Sequence, residues 1–315
     1  MAPSAIIDDV SAAVVGKTSE KAPEKDTSMT PLRALSHGDE LPGIPQFPTF
    51  VEARRHTLIH MAATFRYFAR QGFLEGQSGH ISVRDPEFPG LIWMNPLSRH
   101  FGMMTAGDML LLDIQTGRFV AGSGNPAVQG RTSNAAGYLI HRAVHQARPH
   151  DVHAVCHAHT VAGRAWAAFG RPLDMLTQDV CTFYGKHAVY AQYGGIVFAD
   201  DEGRRIAEAL KPDHRGAILL NHGLITVGET VDEAGFLFGL MDRSCRIQLQ
   251  VEAAAANGIE KRYVSDEEAA YNEKVGADAG VLYREAQPDL EFEIEAAGGE
   301  EAMAKGFDKL VLDLA

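Results

Sequence analysis

Two histidines one residue apart, His157 and His159, close the run HAVCHAHT (153–160), and a third, His222, stands in the run LLNHGLITVG (219–228). In a β-strand, residues i and i+2 project from one face. His157 and His159 are therefore expected to aim both imidazoles at one point, near the strand's end. Neutral imidazole is the commonest protein ligand for zinc, iron, copper and nickel. His222 breaks an apolar strand and is followed by Gly223, which permits a tight bend, so it too is expected at a strand end. If the two ends converge, three imidazoles suffice for a catalytic metal with open positions. The competing reading is a core histidine bonded to a carbonyl, and an HxH pair alone is a weak signal, because short motifs match by chance. Cys156, between the pair, should face away as a small core residue. His153 shares the ligand face but lies four residues back, which suits a core residue or one that supports the ligands.

The chain holds 14 histidines, so several must do no chemistry. His56, His60, His141, His145, His150 and His214 fall in helical or turn contexts among charges, where a solvated or structural role is expected.

The elements that must position the triad are legible from periodicity. Residues 50–72 carry Val51, Leu58, Met61, Ala62, Phe65, Phe68 and Ala69 near helical spacing and stop at Gly72. HISVRD (80–85) and LIWMN (91–95) read as a strand pair, and 109–122 as a hairpin turning at Gly117. Residues 133–149 form a helix capped by Ser133 or Asn134 and ended before Pro149. The HxH strand, a short helix (161–170), a strand (188–194), a helix (201–211), the interrupted strand at 216–228 and a long helix ended by Gly258 follow. Strands joined by hairpins favour a mainly antiparallel sheet with helices on its faces. Residues 1–46 read as a mobile arm, 47–258 as the folded domain, and 259–315 as an acidic extension that is irregular and extended.

The length of 315 residues and an apolar content of 45% suit an ordinary globular protein. The net charge of −12 argues against nucleic acid or an anionic membrane as partner. Three dispersed cysteines without CxxC spacing point to a reducing, cytoplasmic setting. No stretch has the length of a membrane span, and the N-terminus makes a poor signal peptide.

CHAH (156–159) followed by NHGLITVG (221–228) resembles the metal-binding signature of the class II aldolase/adducin family. Further elements lie in order. GHISVR (79–84) resembles its glycine-asparagine-x-serine loop, 95–113 its substrate loop and hairpin, and 133–149 the helix that carries the aldolases' acid. The resemblance covers about residues 50 to 256 and is far more specific as a set than any one piece. It implies a three-layer α/β/α fold with a mainly antiparallel central sheet. It further implies one divalent ion held by His157, His159 and His222, and a homotetramer with sites near subunit interfaces.

The departures carry as much information. The aldolases' serine-serine-glutamate falls so that Gly137 stands at the glutamate, and residues 119–149 contain neither Asp nor Glu. Glycine cannot transfer a proton. His80 stands at the loop asparagine and Ser98 at the usual substrate-loop glycine. The helix resembles the adducin branch, whose head domain is regarded as a non-catalytic scaffold. A third branch keeps three histidines without the acid and includes oxygenases that use non-haem iron and O₂ to remove carboxylate carbon from small acids. The resulting expectation is an Fe(II) oxygenase performing oxidative decarboxylation or C–C cleavage of a 2-oxo or amino acid. The alternatives are a Zn(II)-dependent aldolase or lyase on a small carbonyl compound, and a non-catalytic adducin-like module. Ser98, Arg99, His80, Asn134, Gln178 and Tyr184 are the substrate-binding candidates. Arg99 would serve as a carboxylate clamp or as a surface arginine, and Asn134 as a site residue or simply the helix cap.

Overall fold

A computed structural model describes residues 29–122, 124–195, 200–310 and 312. The expected mobile arm lies outside these residues as far as residue 28. Within them its end makes one helical turn, α1 (Pro31–Ala34), whose Leu32 packs beside Gly43 and Gly280.

The helix α2 (Phe50–Arg70) opens on a Thr49/Glu52 capping box, which satisfies two otherwise unpaired backbone N–H groups. It stops where Gly72 takes a φ of 75°. Then come β1 (His80–Arg84), β2 (Leu91–Met94), and the hairpin of β3 (Leu110–Asp113) and β4 (Phe119–Gly122). The helix α3 (Ala135–Ala147) leads to β5 (Ala154–Ala158), α4 (Val161–Ala167), β6 (His187–Tyr190) and α5 (Asp200–Ala209). The stretch read as one interrupted strand is a tight hairpin of β7 (Gly216–Leu219) and β8 (Gly223–Gly228). Asn221 supports its turn at a φ of 56°, a conformation Asn tolerates better than most side chains. The long α6 (Val231–Ala255) closes this part of the chain.

Among the described residues the strands form one sheet in the order β4-β3-β2-β1-β5-β8-β7-β6, and every pairing is antiparallel except β6 with β7. Strand alternation sorts the sheet into two faces. Ile81, Val83, Ala154, Cys156, Ala158 and Leu224 pack with α2 and α6 residues such as Leu58, Phe65, Phe68 and Phe238. Val155, Ile225 and Val227 pack with Ile140 and Val144 of α3 and Ile206 of α5. The architecture is thus three-layered α/β/α, as expected. A buried Arg54 clamps α2 to the end of β1 with bonds of 2.7 and 2.9 Å to Asp85, which also accepts from Trp93 Nε1 at 2.8 Å.

The irregular extension is where the expectation fails. Residues 259–315 contain α7 (Asp266–Gly276), α8 (Ala279–Ala296) and the short α9 (Glu300–Met303). A Ser265/Glu268 capping box starts α7, and Asp278 caps α8. Leu282, Ala286 and Leu290 recur at four-residue spacing and enter the main core. The acids that made this stretch look like a tail line the other faces, where Asp289 and Glu293 meet Arg70, and Glu300 and Glu301 meet Arg55.

Candidate metal centre

The HxH strand ends at Ala158, so His157 is the next-to-last strand residue and His159 lies just past the end. His222 is the last turn residue before β8, which pairs with β5. The hairpin therefore folds His222 over the end of the neighbouring strand. The side-chain nitrogens of His157, His159 and His222 that could ligate an ion lie within 4.8 Å of one another. Their rings stand 4.8 to 5.0 Å apart and nearly perpendicular in two of the three pairs. Gly223 permits this closeness, because a Cβ there would come within 3.1 Å of the Ala158 carbonyl.

The electrostatics suit a cation. His157 is buried, and burial together with the imidazoles of His80, His222 and His159 holds it well below its ordinary pKa. Burial likewise lowers His159, and lowers His222 to about 4. All three are neutral near pH 7, as ligation requires. His157 Nδ1 donates to the Leu224 carbonyl at 2.8 Å, which leaves Nε2 as the nitrogen free to bind a cation and fixes the ring. Three neutral nitrogen donors without a carboxylate suit a borderline divalent ion such as zinc or iron(II) and leave coordination positions open.

The remaining candidates divide. His80 opens β1 directly opposite His157 in the sheet register, its ring stacked on that of His157 at 4.8 Å. It is the one substrate candidate found against the triad. Asn134 is a helix cap, accepting from Gly137 N at 2.9 Å. Ser98 is exposed on a turn with a φ of 62°, and its carbonyl accepts from Arg131. Arg99 lines, with Ser98, a cavity of about 420 Å³ beside Gly79, but its Nη2 donates to the Met103 carbonyl and lies 3.6 Å from Asp108. It is already engaged within the protein. Gln178 is exposed, and the Tyr184 hydroxyl lies beside Asp266 at the start of α7. His153 is exposed, at the far end of β5 from the triad, and so is neither core nor support to the ligands. A cavity of about 620 Å³ lies at that far end too, lined by His153, Glu229 and Tyr283, whereas the convergent nitrogens are at the other end.

Sequence reasoning missed a group behind the triad. His141 and His145 were assigned no chemistry, yet both are wholly buried and face β1. His80 Nδ1 lies 2.7 Å from His141 Nε2, and the Ser82 hydroxyl bridges His141 Nδ1 (2.6 Å) and His145 Nε2 (2.8 Å). The signal was two interlocking periods: His80 and Ser82 two apart on a strand, and Gly137, His141 and His145 four apart on a helix. Burial and neighbouring imidazoles hold His80 and His141 well below their usual pKa, and burial with Arg84 brings His145 to about 3. The file is uncharged near neutrality.

Comparison with known proteins follows the same lines. The family model described as class II aldolase and adducin N-terminal domain matches residues 59–249. The meiotically up-regulated gene 14 protein of Schizosaccharomyces pombe is 38% identical over 82% of this chain and 96% of its own length. A protein of Streptomyces roseochromogenus subsp. oscitans named 4-hydroxy-3-prenylphenylpyruvate oxygenase/4-hydroxy-3-prenylbenzoate synthase is 44% identical over 67% of this chain and 73% of its own. Among solved structures, the L-fuculose 1-phosphate aldolase from Glaciozyma antarctica PI12 matches with a TM-score of 0.72 and 34% identity, covering 81% of this chain and 95% of that one.

Proposed function

Since the chain belongs to the class II aldolase and adducin N-terminal domain family, we propose that it is a metal-dependent enzyme acting on a small carboxylic acid, with His157, His159 and His222 holding one divalent ion. We further propose Fe(II) as that ion and oxidative decarboxylation or C–C cleavage of a 2-oxo or amino acid as the reaction. The observation that carries this reading is an all-imidazole triad with His80 stacked on it and Gly137 against His80, and no carboxylate between residues 119 and 149. An aldolase of this family needs an acid there to move a proton. Redox chemistry at iron does not need one from the protein. The Streptomyces relative supports the choice, because its name pairs a phenylpyruvate with a benzoate and the word oxygenase.

When bound, the ion would chelate the substrate's carboxylate and adjacent heteroatom and supply electrons to O₂. The chain's own part is to keep three imidazoles neutral, to fix the His157 ring through Leu224, and to fill with the His80 imidazole the space into which a side chain at 137 would project. The zinc-dependent aldolase or lyase remains the second reading, favoured by the likeness to the L-fuculose 1-phosphate aldolase structure. It requires water or another residue as base.

One experiment separates them. The protein is purified without oxygen, its metal is identified, and O₂ uptake is followed with phenylpyruvate and other 2-oxo acids. Iron with O₂ uptake and CO₂ release is expected. Bound zinc and no O₂ consumption sinks the oxygenase, and no metal before or after reconstitution sinks both enzyme readings.

A further inference from the structure

The file behind the triad has a direction. Its far end is the Val152 carbonyl, 3.3 Å from His145 Nδ1, and a carbonyl only accepts. His145 Nδ1 therefore carries the hydrogen, and the neutral ring leaves Nε2 bare. Arg84 Nη2 lies 3.5 Å from the same Nδ1, a longer contact than that to Val152, and donates at 2.9 Å to the His145 carbonyl. Ser82 must then donate to His145 Nε2, and its oxygen accepts from His141 Nδ1–H. His141 Nε2 is left bare and accepts from His80 Nδ1–H. Each link dictates the next, and the last lone pair falls on His80 Nε2.

That nitrogen has a defined place. A Cβ added to Gly137 would sit 2.6 Å from His80 Nε2 and 2.4 Å from Cδ2, closer than such atoms approach. The missing side chain at 137 is thus the condition for the imidazole to lie where it does. The same ring stacks on His157, and its neighbour Gly79 borders the cavity of about 420 Å³. An asparagine at position 80 would offer a donor and an acceptor; a histidine fixed in this tautomer offers an acceptor alone. A bare nitrogen lone pair bonds a hydroxyl and repels a carbonyl or phosphate oxygen.

We infer that His80 Nε2 accepts a hydrogen bond from a hydroxyl of the ligand held at the histidine triad, so that the site selects a 2-hydroxy acid, or the enol form of a 2-oxo acid, over the keto form. Ser82, His141 and His145 are positioning residues that set its tautomer. The inference rests on the metal-site reading of the triad and on no particular redox step.

The test uses the zinc-loaded full chain and three probes. Calorimetry compares lactate with pyruvate, which share a skeleton and differ in the hydroxyl. Absorbance follows the conjugated enol of phenylpyruvate. A preference for lactate of about tenfold is expected, the size of one hydrogen bond. Growth of the enol band on binding assigns the enol source, and no growth assigns the hydroxy acid; both support the inference when lactate is preferred. His80→Phe removes the acceptor and Ser82→Ala removes the file's direction without added bulk, so the preference should collapse in each with zinc still bound. Should His80→Phe not fold, Ser82→Ala decides. Equal binding of lactate and pyruvate by the unaltered protein overturns the inference, as does a preference that survives Ser82→Ala. Loss of zinc in folded His80→Phe would make His80 a ligand and also overturns it. Absence of zinc from the unaltered protein sinks the metal-site reading itself, and this inference with it.

Discussion

His157 and His222 belong to one triad but are built differently, and their variants should separate. His222 is a half-buried turn residue, whereas His157 is buried and tied to the Leu224 carbonyl. We expect His222→Ala to abolish tight metal binding, by a hundredfold or more on the scale of about 1.4 kcal/mol per tenfold, with little change in thermal stability. His157→Ala should lose metal equally and also destabilise the fold by roughly 1–3 kcal/mol, because a buried carbonyl loses its donor. Equilibrium dialysis and denaturant unfolding of the two variants check this. Equal stability in both would contradict it. Gly137→Ala is the most informative single methyl group in the chain. With a contact of 2.4 Å to His80, it should cost about 1–3 kcal/mol as overpacking, and His80→Ala should recover most of that loss in the double variant. A Gly137→Ala protein as stable as the unaltered one would mean that the two do not compete for the space.

Helices rather than strands carry the least expected part of the fold. The C-terminal α8 is locked to α2 and α6 through one buried carboxylate. Asp232 meets His60 Nδ1 at 2.6 Å and accepts from Gln287 of α8 at 2.9 Å. Burial, the largest single influence, would depress His60, but the Asp232 charge and hydrogen bond together with the charges of Glu300 and Glu291 raise its pKa. Removing one partner of a buried pair strands the other. Asp232→Ala is therefore expected to cost about 3–5 kcal/mol and to speed hydrogen exchange selectively along α8. Uniform exchange along the chain would show that α8 is held by its apolar contacts alone. This docking was hidden in the sequence because residues 259–315 are rich in acids, and an acidic helix face looks like a solvated tail until the arginines it meets, Arg55 and Arg70, are brought from α2.

For the molecule as a whole, the buried histidines set the response to pH. His145 stays neutral in the folded chain down to about pH 3 and His56 down to about 4, whereas an unfolded chain protonates each near 6.5. Between those values the unfolded state binds more protons, so acidification from 6.5 lowers stability. His141, with its pKa also well below the usual value, adds in the same direction. Two groups oppose. Glu233, pushed up to about 7 by burial, favours the folded state as pH falls. His60, raised by Asp232, loses its contribution as pH rises. The lowered histidines outnumber the two opposing groups, so the urea midpoint should fall between pH 6.5 and 4.5, and a flat profile would contradict the neutral assignment. The homotetramer implied by the family resemblance is likewise a proposal at this scale. Val161 and Phe169, 75% and 60% exposed, stand at the start of α4 and just beyond its end, directly after His159. If another copy covers them, Val161→Asp should lower the mass seen by light scattering. No helix among the described residues is long and apolar enough to cross a membrane.

What the sequence determined by itself was local and periodic. Period two displayed His157 with His159, a glycine after His222 marked the bend, and helical spacing drew α2, α3 and α6. The family motifs then gave the layered sheet. What only the tertiary structure decided was which faces meet. No residue near Gly137 in the chain reveals that its missing side chain makes room for His80, fifty-seven positions earlier. The four-residue spacing of His141 and His145 puts them on one helix face, but nothing local says that this face meets His80 and Ser82. Their roles follow from the register of β1 against α3, and register is set by the packing of the whole core. A motif specifies which groups are available, and the packed sheet and helix specify which nitrogen is left with a lone pair and where it points.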